Sequence, residues 1–176
     1  DDENRIALAC RALLASPLNG KTVLFETGIG AFFEPKLRER YGVQEAQHVL
    51  LESLRAAGFT HEDIDVVVLS HLHFDHAGGN TMRTDDGRIV PTFPNARYLA
   101  HRGELGYATD TNERTAASYF ARNWEPVREA GRLELVESGA ELLPGIRMRH
   151  TPGHTPHHQS ILVESEQEVK PPPSIS

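Results

Sequence analysis

The sequence predicts a layered α/β domain, and three observations carry that expectation. Short β-branched or apolar runs stand toward both ends of the chain, with helix-patterned stretches between them. One run, "DVVVLS" at 65–70, is almost continuously apolar, as a strand covered on both faces must be. No repeat divides the 176 residues, which suffice for one domain with a real core and not for two.

The elements follow in order. Asn19-Gly20 separates "RIALACRALLAS" (5–16) from "KTVLFETG" (21–28), and Asn-Gly between apolar runs is the strongest short-range hairpin signal. Two antiparallel strands are expected there, although the Ala/Leu content of the first would also suit a helix. "EAQHVLLESLRAAGF" (45–59) spaces its apolar residues at helical intervals and reaches Gly58, a residue suited to a helix C-cap. Thr60 then opens "THEDID" with Asp63 three residues on, a capping pattern. Past the central strand, "ARYLA" reads as a strand and "NERTAASYFARNWEPVREAG" (112–131) as a helix broken near Pro126. "RLELVES", "IRMRHT" and "HQSILVES" give three more short strands. The Pro-rich tail 167–176 is expected to be extended or disordered, which leaves 1–166 as the domain.

Composition narrows the function. The apolar share of 39% and charged share of 24% are those of an ordinary globular protein. A net charge of −7 argues against nucleic acid as the main partner, because phosphate binding needs clustered Lys and Arg. No apolar run approaches the roughly 20 residues of a membrane span, and no signal peptide opens the chain. A cytoplasmic setting is expected, with secretion left open because Asp1 rather than Met comes first. The single Cys10 cannot form an internal disulfide and is expected to be a small buried apolar residue.

The chemistry is concentrated in two short segments. "SHLHFDHAGGN" (70–80) and "RHTPGHTPHHQS" (149–160) hold His71, His73, His76, His150, His154, His157 and His158, seven of the ten histidines. In an extended backbone positions two apart point the same way, so His71 and His73 can share one metal ion. Asp75 and His76 lie past them, where Gly78-Gly79 allow a sharp turn and close approach, and can face a second ion. Neutral imidazoles with a carboxylate suit zinc first, with iron or manganese as alternatives. His48, His61 and His101 are read as ordinary histidines with satisfied hydrogen bonds.

These two segments together resemble the metallo-β-lactamase superfamily, whose members carry H-x-H-x-D-H and a later T-P-G-H-T. "GKTVLFETGIG", "PTFPNARYLAHRGEL" and "PGIRMRHTPGHTPHHQSILVES" make the lactonase-like hydrolases, including acyl-homoserine-lactone lactonases, the most similar group. The resemblance implies an αββα sandwich. It also implies that His71, His73 and His154 bind a first metal and that Asp75, the candidate catalytic carboxylate, binds a second with His76. His158 matches a family histidine that does not usually ligate. Two zinc ions about 3.5–4 Å apart would share a hydroxide that attacks the carbonyl of a small lactone or ester. A thioesterase of the glyoxalase II kind and a mononuclear iron persulfide dioxygenase are the alternatives within the fold. A non-catalytic metal-binding or partner-binding module is the alternative outside it, and a homodimer is left open.

Two departures from the family pattern shape the expectation. Glu26 stands in "ETG" where the family usually has Asp, and one extra methylene shifts whatever that acid orients. Beyond His158 no Asp or His follows, whereas active dinuclear members use a bridging Asp and a final His there. A partial domain is therefore expected, with the natural chain longer. Its three-histidine site suits one ion, and Asp75 with His76 would hold a second weakly, with His150, His157 or Glu164 as substitute ligands. Substrate walls are expected from the loop after Asn80, "TDDGRIVPTF" and the region Tyr107–Trp124. Phe93, Tyr119, Phe120 and Trp124 there are read first as core.

Overall fold

In a computed structural model, which describes residues 6–31, 33–44 and 46–164, the first hairpin forms around Asn19-Gly20. Asn19 (φ 51°) and Gly20 (φ 71°) both take the left-handed backbone that a tight hairpin turn demands. The turn joins β1 (Leu13–Leu18) to β2 (Lys21–Phe25), paired antiparallel from Leu13↔Phe25. The first strand is shorter than the expected 5–16. β2 ends where Glu26 adopts φ 65°, so residues before Leu13 have no strand to pair with. Ile6 and Leu8 are accordingly 78% and 84% exposed, and Cys10, expected in the core, is exposed as well.

A charged helix that the sequence reading missed, α1 (Pro35–Tyr41), follows, with no buried residue to give it a visible apolar stripe. The expected helix 45–59 contracts to α2 (Val49–Ala56), and Glu45 lies outside the described residues. Its end is a Schellman cap: the Gly58 amide donates to Arg55 O and the Phe59 amide to Leu54 O, with Gly58 at φ 85°. The Thr60–Asp63 capping box forms as expected, on a single 3-10 turn, His61–Asp63.

β3 (Val66–Val68) is the centre of a five-stranded sheet, parallel to β2 on one side and to β6 (Arg97–His101) on the other. β7 (Leu133–Val136) adds in parallel to β6, giving the order β1-β2-β3-β6-β7. After β3 come α3 (Phe74–Ala77) and a small hairpin, β4 (Thr81–Arg83) with β5 (Ile89–Pro91), which packs near α5 (Glu125–Glu129). A second, three-stranded sheet has the order β10 (Gln159–Val163), β9 (Ile146–His150), β8 (Glu141–Leu143).

Alternation along the strands sorts the core into two layers. Leu24, Val67, Tyr98 and Ala100 face the helices, packing with Leu54, Ala108, Trp124 and Val127. Val23, Phe25, Val66, Val68 and Leu99 face the second sheet, packing with Ile146 and Met148. The fold is thus the expected mixed α/β sandwich, seen among the described residues as helices, sheet and sheet. The tail 167–176 lies outside the described residues.

The expected helix over 112–131 does not form. The helix sits upstream, as α4 (Arg102–Thr109), and only α5 survives within the expected range. Between them the Asn112 side chain accepts from the amides of Arg114 and Thr115, fixing a turn, and two 3-10 turns follow at Ala116–Ser118 and Ala121–Asn123. Pro126 does not break a helix but begins one, since its missing N–H is no loss in a first turn.

Candidate metal centre

The site grows from the C-terminal end of β3. The Leu69 amide still donates to Leu99 O, and the chain then leaves the sheet as Ser70-His71-Leu72-His73. His71 is 1% exposed; its Nδ1 lies 2.9 Å from Ser70 Oγ, while its Nε2 is buried with no hydrogen-bond partner. His73 caps α3, whose short turn carries Asp75 and His76. Gly78 and Gly79 then pass so close to the Ile29 and Thr27 carbonyls that a Cβ at either would collide with them. Close approach, rather than a left-handed turn, is what makes Gly78 necessary here.

Glu26 braces this turn from the end of β2. One carboxylate oxygen accepts from the Ser70 amide at 2.8 Å and the other pairs with His76 Nδ1 at 3.0 Å. His76 Nε2 is left facing Asp75, with Oδ2 at 3.4 Å.

His154 arrives from the loop between β9 and β10. The Gln159 amide donates to Ser70 O, so that loop is fastened to the strand end. His154 Nε2 then lies 3.1 Å from His73 Nδ1 across 81 positions of sequence. Ligand atoms of His71, His73 and His154 fall within 4.8 Å of one another, and so do those of His71, Asp75 and His76. All five residues singled out from the sequence are thus brought together, with His71 common to both groups.

The remaining histidines divide. The His158 ring sits 5.1 Å from His71, with its Nδ1 2.9 Å from Thr151 Oγ1, outside either group. His150 and His157, considered as substitute ligands, stack with His101 instead. Glu164 is exposed and belongs to neither group. His48, expected to have its hydrogen bonds satisfied, keeps a buried Nε2 without a partner.

Electrostatics favour neutral rings at His71, His73 and His158 in the metal-free chain, and the charged ring at His76. Burial, then the charges of His76, His73, His154 and His158, push His71 down to about 2. Burial and His154 lower His73, and burial and His154 lower His158. Burial also works against the charged form of His76, but the hydrogen bond and charge of Glu26, with Asp75, outweigh it and raise that pKa. Neutral ring nitrogens are metal donors, and a partnerless buried one is costly without an occupant. The donor set therefore fits a divalent ion of borderline softness.

Phe93, Tyr119 and Trp124 are core, as read from the sequence, whereas Phe120 is half-buried and stacks on Phe74 beside Phe33. Glu104, Thr155 and Ser70 were not singled out from the sequence: Glu104 accepts from the Leu72 amide, the Thr155 hydroxyl donates to Glu104, and Ser70 Oγ lies beside His71 Nδ1.

The mixed α/β sandwich and the convergent histidine groups are matched by the comparisons. The profile of the metallo-beta-lactamase superfamily matches residues 8–168, and the chain belongs to that superfamily. An N-acyl homoserine lactonase of Bacillus sp. is 34% identical over 117 residues, covering 66% of this chain and 40% of the relative. The lactonase AttM of Agrobacterium fabrum is 31% identical over 120 residues, covering 64% and 41%. A probable metal-dependent hydrolase from Staphylococcus aureus superposes with TM-score 0.74 at 30% identity, over 84% of this chain and 51% of that one. AidC, a dizinc quorum-quenching lactonase, shares the fold with TM-score 0.66 at 24% identity, over 86% and 51%. The chain spans about 40% of the length of the curated relatives it matches. Among the described residues no helix is long and apolar enough to cross a membrane.

Proposed function

We propose that this chain supplies the histidine half of the active site of a zinc-dependent hydrolase of lactones or other carboxylic esters. His71, His73 and His154 would hold one ion, and Asp75 with His76 a second. The observation that carries the reading is the convergence of His154 on His71 and His73 around a buried nitrogen that no protein group satisfies. These residues would hold zinc, which would supply Lewis acidity toward a carbonyl oxygen and toward water.

The chain's own residues do the rest. Glu26 fixes the His76 ring through Nδ1 and so presents Nε2 to the site. Asp75, half-exposed with Oδ2 toward His76, would accept a proton from the attacking water. The half-buried rings of Phe74 and Phe120, stacked beside the ligand-bearing turn, would offer an apolar wall. Acyl-homoserine lactones are the first substrates to try, because the curated relatives are named for them, and quorum quenching would be the corresponding role.

The test is hydrolysis of an acyl-homoserine lactone and of an aryl ester, before and after exhaustive chelation and after zinc is restored. Metal-dependent turnover is the expected result; turnover that survives complete metal removal would overturn the reading. A second reading, metal binding without catalysis, is favoured by one feature: the second group of ligands has only Asp75 and His76 of its own, since His71 is shared. Zinc uptake without turnover of either substrate would select it.

A further inference from the structure

Glu104 is 0% exposed, yet its carboxylate lies among three donors from three separate parts of the chain. The Leu72 amide donates to Oε1 at 3.2 Å, the Tyr119 hydroxyl to Oε1 at 2.8 Å, and the Thr155 hydroxyl to Oε2 at 2.7 Å. Each donor adjoins a candidate ligand. Leu72 is the peptide between His71 and His73, and Thr155 follows His154. The Tyr119 ring packs edge-on against His73, with centroids 4.7 Å apart. A buried carboxylate is tolerated only when its acceptor sites are filled, and here they are filled by these groups.

We propose that Glu104 is a positioning residue, which sets the separation of His73 and His154 by tying the strand-end turn, the 151–158 loop and Tyr119 to one point on α4. It rests on the metal reading above and deepens it. Apart from the direct contact of the His73 and His154 rings, Glu104 joins the two ligand-bearing segments at residues that adjoin the ligands. The Gln159 amide bond to Ser70 O fastens the loop's far end, five residues beyond His154. The carboxylate suits the role because it only accepts, and three donors point at it. An amide at the same place presents N–H toward one of them.

The test titrates the polypeptide with cobalt(II), whose visible bands report coordination geometry, and records thermal melting in parallel. Glu104→Gln is expected to weaken cobalt affinity about tenfold and to change the bands, as loss of an outer support does at metal sites. Thr155→Val, which removes one arm, is expected to weaken affinity in the same direction, and Thr155→Ser, which keeps the hydroxyl, to restore it. Asp65→Asn is the control. Asp65 also accepts a backbone amide, that of Thr22, but at the other end of β3, so its loss lowers the melting temperature and leaves the cobalt titration unchanged. A Glu104→Gln chain that melts lower but binds cobalt with unaltered affinity and bands overturns the proposal. If Glu104→Gln does not fold, the Thr155 pair decides, and equal affinity in the Val and Ser variants overturns it. Absence of cobalt binding by the unaltered chain is a different result, which removes the metal reading itself.

Discussion

The molecule holds two clusters of imidazoles that differ in one geometrical respect. In the first, His71 meets His73 at 76° and His154 at 88°, rings edge to face, so nitrogens converge on common space. In the second, His101, His150 and His157 lie nearly parallel, at 13°, 16° and 26°, so their faces meet and their nitrogens diverge. The nitrogens of the second cluster are also engaged elsewhere. His101 Nδ1 accepts from the Gly103 amide, His101 Nε2 pairs with Ser138 Oγ, and His150 Nε2 with Pro156 O. In the first cluster, His71 Nε2 has no such partner. Density of histidine does not separate His150 and His157 from His154, which shares their segment; the direction of the ring nitrogens separates the ligand set from the packed stack.

The sharpest way to break this contrast is to delete one ring from each side. His71 contributes to both ligand groups, so His71→Ala is expected to lower zinc affinity by on the order of 100-fold or more, given the several kcal/mol that each ligand of a structural site contributes. His150→Ala, in the stack, is expected to leave zinc uptake unchanged. Equilibrium dialysis with elemental analysis reads both. Equal loss in the two variants would mean that the stack, too, takes metal.

Acid provides a second separation, in the metal-free chain. The folded pKa of His71 is depressed to about 2 from the ordinary 6.5, chiefly by burial. Below pH 6.5 the unfolded chain therefore takes up a proton that the folded one refuses, and stability falls as pH falls, by up to about 1.4 kcal/mol per pH unit from this one group. His76 has the opposite sign: its raised pKa gives stability that is present below 6.5 and lost as pH rises through the folded value. Urea denaturation in chelator between pH 6.5 and 5 should show a shallower decline for His71→Ala than for the unaltered chain. Identical slopes would mean that the ring is solvated.

The sequence revealed what local chemistry specifies. Asn19-Gly20, Gly58 and the Thr60–Asp63 pair each act within a few residues, and each formed the turn or cap expected of it. The central Val66–Val68 strand was legible because burial on both faces demands an unbroken apolar run. The region 112–120 was misread because its conformation is imposed from outside: Tyr119 is drawn onto Glu104, and no helical register survives that constraint. The three-residue strands of the β4–β5 hairpin are too short to show alternation. The histidine site was legible as two motifs, but Glu104 was not. Its partners lie 15, 32 and 51 positions away, and a lone acid after a strand carries no pattern.

The smallest expected effect concerns Glu26, and it sharpens the contrast within the first cluster. Glu26 holds His76 and the Ser70 amide but does not touch His154. Glu26→Gln leaves one oxygen to serve two donors, so the ring of His76 loses its fixed orientation. Retention of an ion at Asp75 and His76 should fall about tenfold, while an ion at His71, His73 and His154 is retained. Glu26→Asp keeps the carboxylate and places a residue at φ 65° that accepts left-handed backbone more readily than Glu does. If ring orientation is what matters, Asp should hold the second ion nearly as well as Glu, since the charge and both acceptors remain. Stepwise chelator competition separates the two ions. Equal weakening of both by Glu26→Gln would show that the acid supports the strand end as a whole through Ser70, and that His76 is not its particular charge.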